Sequence, residues 1–186
     1  MVAVDGRLKW IVDAYTSSSY YPYSQAFNSL EHMESRNGGV SGSAGRTVHR
    51  LNGENYVRNS VKAVVDAYDG TVNFYVFDSD DPIIATWRKI LPDTFRDRDE
   101  LPDSIQAHVR YPQDFLLVQG LIFASYHMTD PAVFYNQEDL WVRATEKHYG
   151  SIKPVEPYYV MWALPESEQA EFVLILPFTP KTRQEF

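Results

Sequence analysis

The sequence predicts an α+β fold: a mainly antiparallel sheet with helices packed on one face. Three observations carry that prediction. Runs rich in β-branched and aromatic residues stand towards both ends of the chain, at Leu8–Tyr15, Ser60–Phe77 and Tyr158–Leu176. Proline-led helical segments fill the middle, at "DPIIATWRKI", "YPQDFLLVQGLIFASYHM" and "DPAVFYNQ". Asp69-Gly70 separates two of the strand runs, a hairpin signal that makes neighbouring strands antiparallel.

In chain order, Asp5-Gly6 reads as a turn and Leu8 to Tyr15 as the strand that follows it. "TSSSYYPYSQAFNSL" is polar and aromatic without a period, which predicts irregular structure. Gly38, Gly39, Gly42, Gly45 and Gly53 are five of the nine glycines, so residues 35–53 read as a flexible glycine-rich loop or linker inside the domain. Ser60 to Tyr68 and Thr71 to Phe77 form the predicted hairpin, with Val72, Phe74 and Val76 on one face.

Asp81 is placed as an N-cap with Pro82 at the first helical position. Ile83, Ile84, Trp87, Ile90 and Leu91 then share a helix face, and Pro92 stops the helix. A short helix is expected over Pro102–Val109. Pro112 to Met128 is apolar enough to be the most buried helix, along a stripe of Phe115, Val118, Ile122 and Tyr126 widened by Leu116, Leu121 and Phe123. Asp130-Pro131 starts another helix. Asn136 with Asp139 resembles a capping box, which predicts a further helix ending near Lys147 and His148, with Gly150 as its stop. Tyr158–Leu164 and Glu171–Leu176 close the chain as strands joined by the polar loop "PESEQA".

With 186 residues, one soluble domain over 1–186 is the default reading. A net charge of −8 and no basic run argue against nucleic acid as a partner. The absence of cysteine removes disulfides, thiol nucleophiles and cysteine metal sites. No stretch approaches the roughly 20 apolar residues that span a bilayer, and "MVAVDGRLKW" lacks the pattern of a signal peptide.

"KWIVDAY" and "KAVVDAY" place Asp13 and Asp66 at equivalent points of two strands. If the strands are neighbours, the two carboxylates either meet, as an acid/base pair or cation site, or each pairs across the strands with a lysine. His127 joins them as a candidate catalytic group. His127 and Asp130 have the i, i+3 spacing of two metal ligands on a helix, although Asp130 also suits an N-cap. Arg58 and Arg110 are candidates for holding a carboxylate. Tyr20, Tyr21 and Tyr23 are candidates for stacking on a ligand. No phosphate loop, nucleophile elbow or H-E-x-x-H helix is present, and no cofactor is implied.

"WIVDAYT", "YPYS", "NYVRNSVKAVVDAYDGTVNFYV", "DPIIATWRKILPDTF", "HVRYPQDFLLVQ", "YHMTDPAVFYNQEDLW", "EPYYVMWALP" and "FVLILPFTP" occur in this order. Together they resemble the uncharacterised protein family 0182, large multi-pass membrane proteins of bacteria and cyanobacteria. The resemblance covers nearly the whole chain outside Glu31–Glu54. It implies that the chain is a fragment of a soluble region of a cell-membrane protein, on the extracytoplasmic side, with the transmembrane region of its own full-length chain as partner. It carries no catalytic residues. The function expected is a non-catalytic extramembrane domain with an assembly, ligand-sensing or partner-binding role. The alternative is a carboxylate-dependent hydrolase or metal-binding domain.

Overall fold

Asp5 and Gly6 both adopt positive φ, 51° and 72°, the geometry that lets a two-residue turn match the twist of its strands. They fold β1 (Val2–Val4) against β2 (Arg7–Ser18). β2 pairs antiparallel with β3 (Tyr56–Asp66), and β3 pairs antiparallel with β4 (Val72–Val76). β5 (Phe95–Asp97) adds to β4 in parallel, giving the order β1-β2-β3-β4-β5. The computed structural model describes residues 1–28, 48–163 and 169–181, and its mainly antiparallel strands with interspersed helices make an α+β fold.

Two compact units divide the chain, one of Met1–Ala26 and Gly53–Arg110, the other of Phe27–Asn52 and Tyr111–Phe186. The five-stranded sheet belongs to the first. Alternation sends Val61 to one face and Val64 to the other. On the first face Val61 and Val76 bury against Ile84 of α1 (Pro82–Ile90), with Ala14, Phe74 and Phe95 packed alongside. On the second, Val64 and Tyr75 bury with Val4, Leu101 and Ile105, the last from α2 (Asp103–Gln106). Asp81 caps α1 as its position predicts, accepting a hydrogen bond from the Ile83 N–H at 3.0 Å. Of the expected apolar face of α1 only Ile84 is buried, while Trp87, Ile90 and Leu91 are exposed.

The second unit contains α3 (Gln113–Tyr126) and α4 (Pro131–Asn136). Three two-stranded ribbons complete its described part: β6 (Trp141–Arg143) with β11 (Phe178–Pro180), β7 (Thr145–His148) with β8 (Ser151–Pro154), and β9 (Tyr158–Ala163) with β10 (Ala170–Ile175). The helix expected from Asn136 to His148 is therefore strand. Gln137 turns left-handed (φ 53°) and ends α4, and Tyr149 and Gly150 (φ 47° and 87°) make a hairpin turn of the residues read as a helix stop.

α3 forms where expected and buries Val118 and Leu121 of the expected stripe, but its buried face is rotated away from the rest of that stripe. Leu117, Val118, Gly120, Leu121 and Ala124 are buried, whereas Ile122, Phe123 and Tyr126 are exposed. The helix is apolar almost all round, so period alone selects no side. Small residues decide it: a Cβ on Gly120 would stand 2.6 Å from Leu176 Cδ2 and 2.8 Å from Phe178 Cζ. Only a glycine allows that approach. The mobile loop expected over 35–53 lies outside the described residues up to position 47. From 48 the chain makes a helical turn with Val48 and Leu51 buried.

Candidate functional site: a charged cleft on the five-stranded sheet

The repeated "VDAY" stretches lie on adjacent strands, and their register settles how the aspartates are used. Lys9 stands opposite Asp66, and Asp13 opposite Lys62. Antiparallel pairing thus gives each carboxylate a lysine and sets the two carboxylates four residues apart, about 13 Å along the strand. The two stretches are not equivalent beyond the aspartate. β3 ends at Asp66, so Ala67 and Tyr68 enter the turn, whereas Ala14 and Tyr15 continue β2 through a bulge.

Asp66 is the centre of a network. Its Oδ2 accepts from Arg7 Nε at 2.8 Å and Lys9 Nζ at 2.6 Å, and its Oδ1 accepts from the Tyr68 N–H at 2.9 Å. These bonds, Arg7's first, hold the carboxyl well below the ordinary carboxylate range, and burial opposes them only in part. Arg7 also donates from Nη2 to Asp69 at 3.0 Å and lies over the Tyr68 ring, 5.3 Å from its centre. Asp69 takes the Thr71 N–H at 3.0 Å, which lowers its pKa in turn. Around this network opens a cleft of about 300 Å³, floored by Val64 and flanked by Asn73 and Thr71.

At the other end of the strand pair, Lys62 is buried and paired with Asp13, which also accepts from Asn59 Nδ2 at 3.2 Å. A further polar group lies at the start of α1. The fully buried Asp81 accepts from Thr16 and Ser60, each at 2.6 Å, and from the Tyr56 hydroxyl at 2.7 Å. Burial alone would raise the Asp81 pKa, but these hydrogen bonds outweigh it and the carboxyl stays below its ordinary value. Burial and the Asp81 bond push Tyr56 up to about 12. The cap reading of Asp81 did not show this network, because Thr16 and Ser60 reach it only through the strand pairing.

The remaining candidates are dispersed. His127 belongs to the second unit, at the C-terminal end of α3. Its Nδ1 donates to the Phe123 carbonyl at 3.1 Å, its Nε2 lies 3.5 Å from Asp139, and its ring stacks on Trp141 at 3.9 Å. Asp130 caps α4, accepting from the Ala132 and Val133 N–H groups at 2.8 and 3.1 Å. Among the described residues no group of three or more His, Cys, Asp or Glu is placed to hold a metal ion. Arg58 pairs with Asp78 at 3.0 Å, and Arg110 is exposed. Tyr21 stacks on Tyr56 at 5.5 Å, while Tyr20 and Tyr23 are open to solvent. Asn55 fixes this loop by bonding the Tyr21 N–H and carbonyl and the Ser24 carbonyl. Arg7 and Asn73 were missed by sequence reading. Two-residue alternation from Lys9, and Asn73's place opposite Val64, are the signals that find them.

The sequence profile of the uncharacterised protein family UPF0182 matches residues 1–186. The chain belongs to this family. UPF0182 relatives include a protein of Methanospirillum hungatei, 45% identical over 99% of this chain and 19% of its own length. Another, from Desulfitobacterium hafniense, is 44% identical over 98% of this chain and 17% of its own length. One from Trichodesmium erythraeum is 45% identical over 95% of this chain and 19% of its own length. The chain thus spans less than a fifth of the length of these UPF0182 proteins. No solved structure matches it.

Proposed function

We propose that this chain is a non-catalytic assembly and binding domain of a larger multi-pass membrane protein, on the extracytoplasmic side. Its partner is the transmembrane region of its own full-length chain. The observation that carries this reading is an apolar sheet face left open. Trp10, Val65 and Val72 lie in register across β2, β3 and β4, as do Val12, Ala63 and Phe74. α1 covers this face only at the Val61–Val76 end, and Trp10, Val12 and Val72 are each nearly half exposed. An apolar patch of this kind marks a contact surface. Relatives carry more than four-fifths of their length outside the matched region, so the remainder of the chain is the occupant at hand. Among the described residues no helix is long and apolar enough to cross a membrane, so on this reading the crossing segments belong to that remainder.

The carboxylates support a non-catalytic role. Asp13, Asp66, Asp81 and Asp130 are each engaged by ion pairs or as helix caps, which accounts for their positions without chemistry.

Hydroxyl-radical footprinting of the full-length protein in its native membrane tests the docking. Trp10 should be labelled far less than Tyr23, which is open to solvent and serves as internal standard. Equal labelling overturns the docking. A cysteine introduced at Tyr23 should react with a membrane-impermeant maleimide in intact cells; reaction only after lysis overturns the extracytoplasmic placement.

A further inference from the structure

We propose that the cleft at Arg7, Lys9 and Asn73 binds a neutral polyhydroxylated ligand, of the class of monosaccharides and cyclitols. The proposal rests on which hydrogen-bonding groups remain once the network is satisfied. Asp66 already receives three donors and Asp69 two. The donors are not used up. Lys9 gives one hydrogen bond, to Asp66, so the rest of its ammonium is available. Arg7, which lines the cleft, donates through Nε and Nη2, and its Nη1 makes no hydrogen bond among the described residues. The Asn73 side chain has no partner among the described residues and offers both a donor and an acceptor. The cleft therefore presents fixed donors together with one amide of dual character.

Charge narrows the class of ligand. Two cations, Arg7 and Lys9, face two carboxylates, Asp66 and Asp69, so the cleft is electrically balanced, and the chain as a whole carries −8. An anion gains nothing from that field. A cation meets carboxylates that are already engaged. A neutral ligand with several hydroxyls fits both limits, because each hydroxyl accepts from Arg7 or Lys9 and can donate onward to Asn73. Hydrogen bonds to charged donors are the strong kind. The ion pairs also keep Arg7 and Lys9 in place before binding, with the Tyr68 ring under the guanidinium. A volume of about 300 Å³ is at the small end of ligand sites and suits a single ring. The site is on the face of the sheet opposite Trp10 and is independent of the docking proposed above.

The test uses the full 186-residue chain and side-chain NMR of Arg7, Lys9 and Asn73. It is titrated separately with D-glucose, D-galactose, myo-inositol, sodium acetate and sodium phosphate. The expected result is saturable shifts at these three residues with at least one of the neutral probes, in the millimolar range typical of small polar ligands, on the order of 1 mM or weaker. Acetate and phosphate should leave them unmoved. Lys9→Met and Asn73→Val should each weaken that binding by about tenfold or more. The Asn73 side chain has no bond to lose among the described residues, so Asn73→Val keeps the test sound if Lys9→Met fails to fold. Three results overturn the proposal: no saturable shift with any neutral probe, unchanged affinity in Asn73→Val, or binding of acetate or phosphate at these residues in place of the neutral probes.

Discussion

The two ends of the β2–β3 pair carry the same chemistry the opposite way round. At one end the carboxylate is buried: the Asp66 side chain is 6% exposed, against 23% for Lys9. At the other end the ammonium is buried: the Lys62 side chain is 5% exposed, against 31% for Asp13. Both buried partners sit on β3, the strand flanked by β2 and β4. Both less buried partners sit on β2, whose other neighbour among the described strands, β1, is three residues long and stops short of Asp13. Strand position, not residue type, decides which charge loses water. The two ends then pay for desolvation differently. A buried carboxylate can gather several donors, and Asp66 has Arg7, Lys9 and a backbone N–H. The buried Lys62 has Asp13 and the face of Phe77, 5.8 Å from its ring centre. The Lys62 end is the more vulnerable.

The largest effect should therefore come from Asp13→Ala, which leaves the Lys62 ammonium buried without its counter-ion. Removing one partner of a fully buried pair costs about 3–5 kcal/mol; the partial exposure of Asp13 reduces this to about 2–4 kcal/mol. Urea unfolding measures it, and a loss under about 1 kcal/mol would show that Lys62 reaches water without Asp13. Asp66→Asn should cost less, because Arg7, with a side chain 47% exposed, and Lys9 can turn to solvent. Its signature is in the pH dependence. The folded carboxyl has a depressed pKa, so its contribution is complete above the unfolded value of about 3.9 and is lost as pH falls through the folded value. The stability difference between wild type and Asp66→Asn should stay level from neutral pH to about pH 5 and shrink only in stronger acid. A difference that already shrinks between about pH 7 and 5 would contradict the ion-pair geometry.

Replacing both members of the Lys62–Asp13 pair sharpens the contrast. Lys62→Met with Asp13→Leu keeps the volume beside Phe77 and removes the need to compensate a buried charge. The double variant should lie within about 1 kcal/mol of wild type and be more stable than Asp13→Ala alone. A double variant as unstable as the single one would mean that the pair stabilises the fold by more than the cost of its desolvation.

The sequence made this part of the molecule legible because strands alternate with a period of two and their turns are marked. Asp5-Gly6 and Asp69-Gly70 mark the turns that join β1 to β2 and β3 to β4, but the register that brings lysine to aspartate is that of β2 with β3, specified by the alternation of their buried faces and not by a tight turn. Legibility failed where the pattern was degenerate. α3 is apolar on nearly every side, so its contact face was set by Gly120 fitting against Leu176 and Phe178, residues distant in sequence. From Asn136 to Gly150, cap-like residues suggested a helix, but the left-handed Gln137 and the Tyr149-Gly150 turn made short strands whose partners include residues near 180. The cleft was half legible. Asp66 and Lys9 were marked by the repeat, whereas Arg7 lies on β2 just outside the repeat, two residues before Lys9, and Asn73 enters through the pairing of β4 with β3.

The smallest expected effect is the most informative about the aspartate pair. If Asp13 and Asp66 shared a catalytic or cation site, their substitutions would couple by about 0.5–3 kcal/mol. The register instead places each against its own lysine, about 13 Å apart along the strand pair, with Ile11 and Val64 on the intervening stretch of the same face. Independent sites at such separation add within about 0.3–0.5 kcal/mol. The cycle of Asp13→Asn, Asp66→Asn and the double variant should therefore close within that margin, in the presence or absence of calcium or magnesium. Asparagine preserves the shape of each side chain, so any coupling reports charge and not repacking. Coupling above about 1 kcal/mol that appears only with a divalent ion would mean the strands bring the carboxylates together around a metal, and the two-ended description would fail.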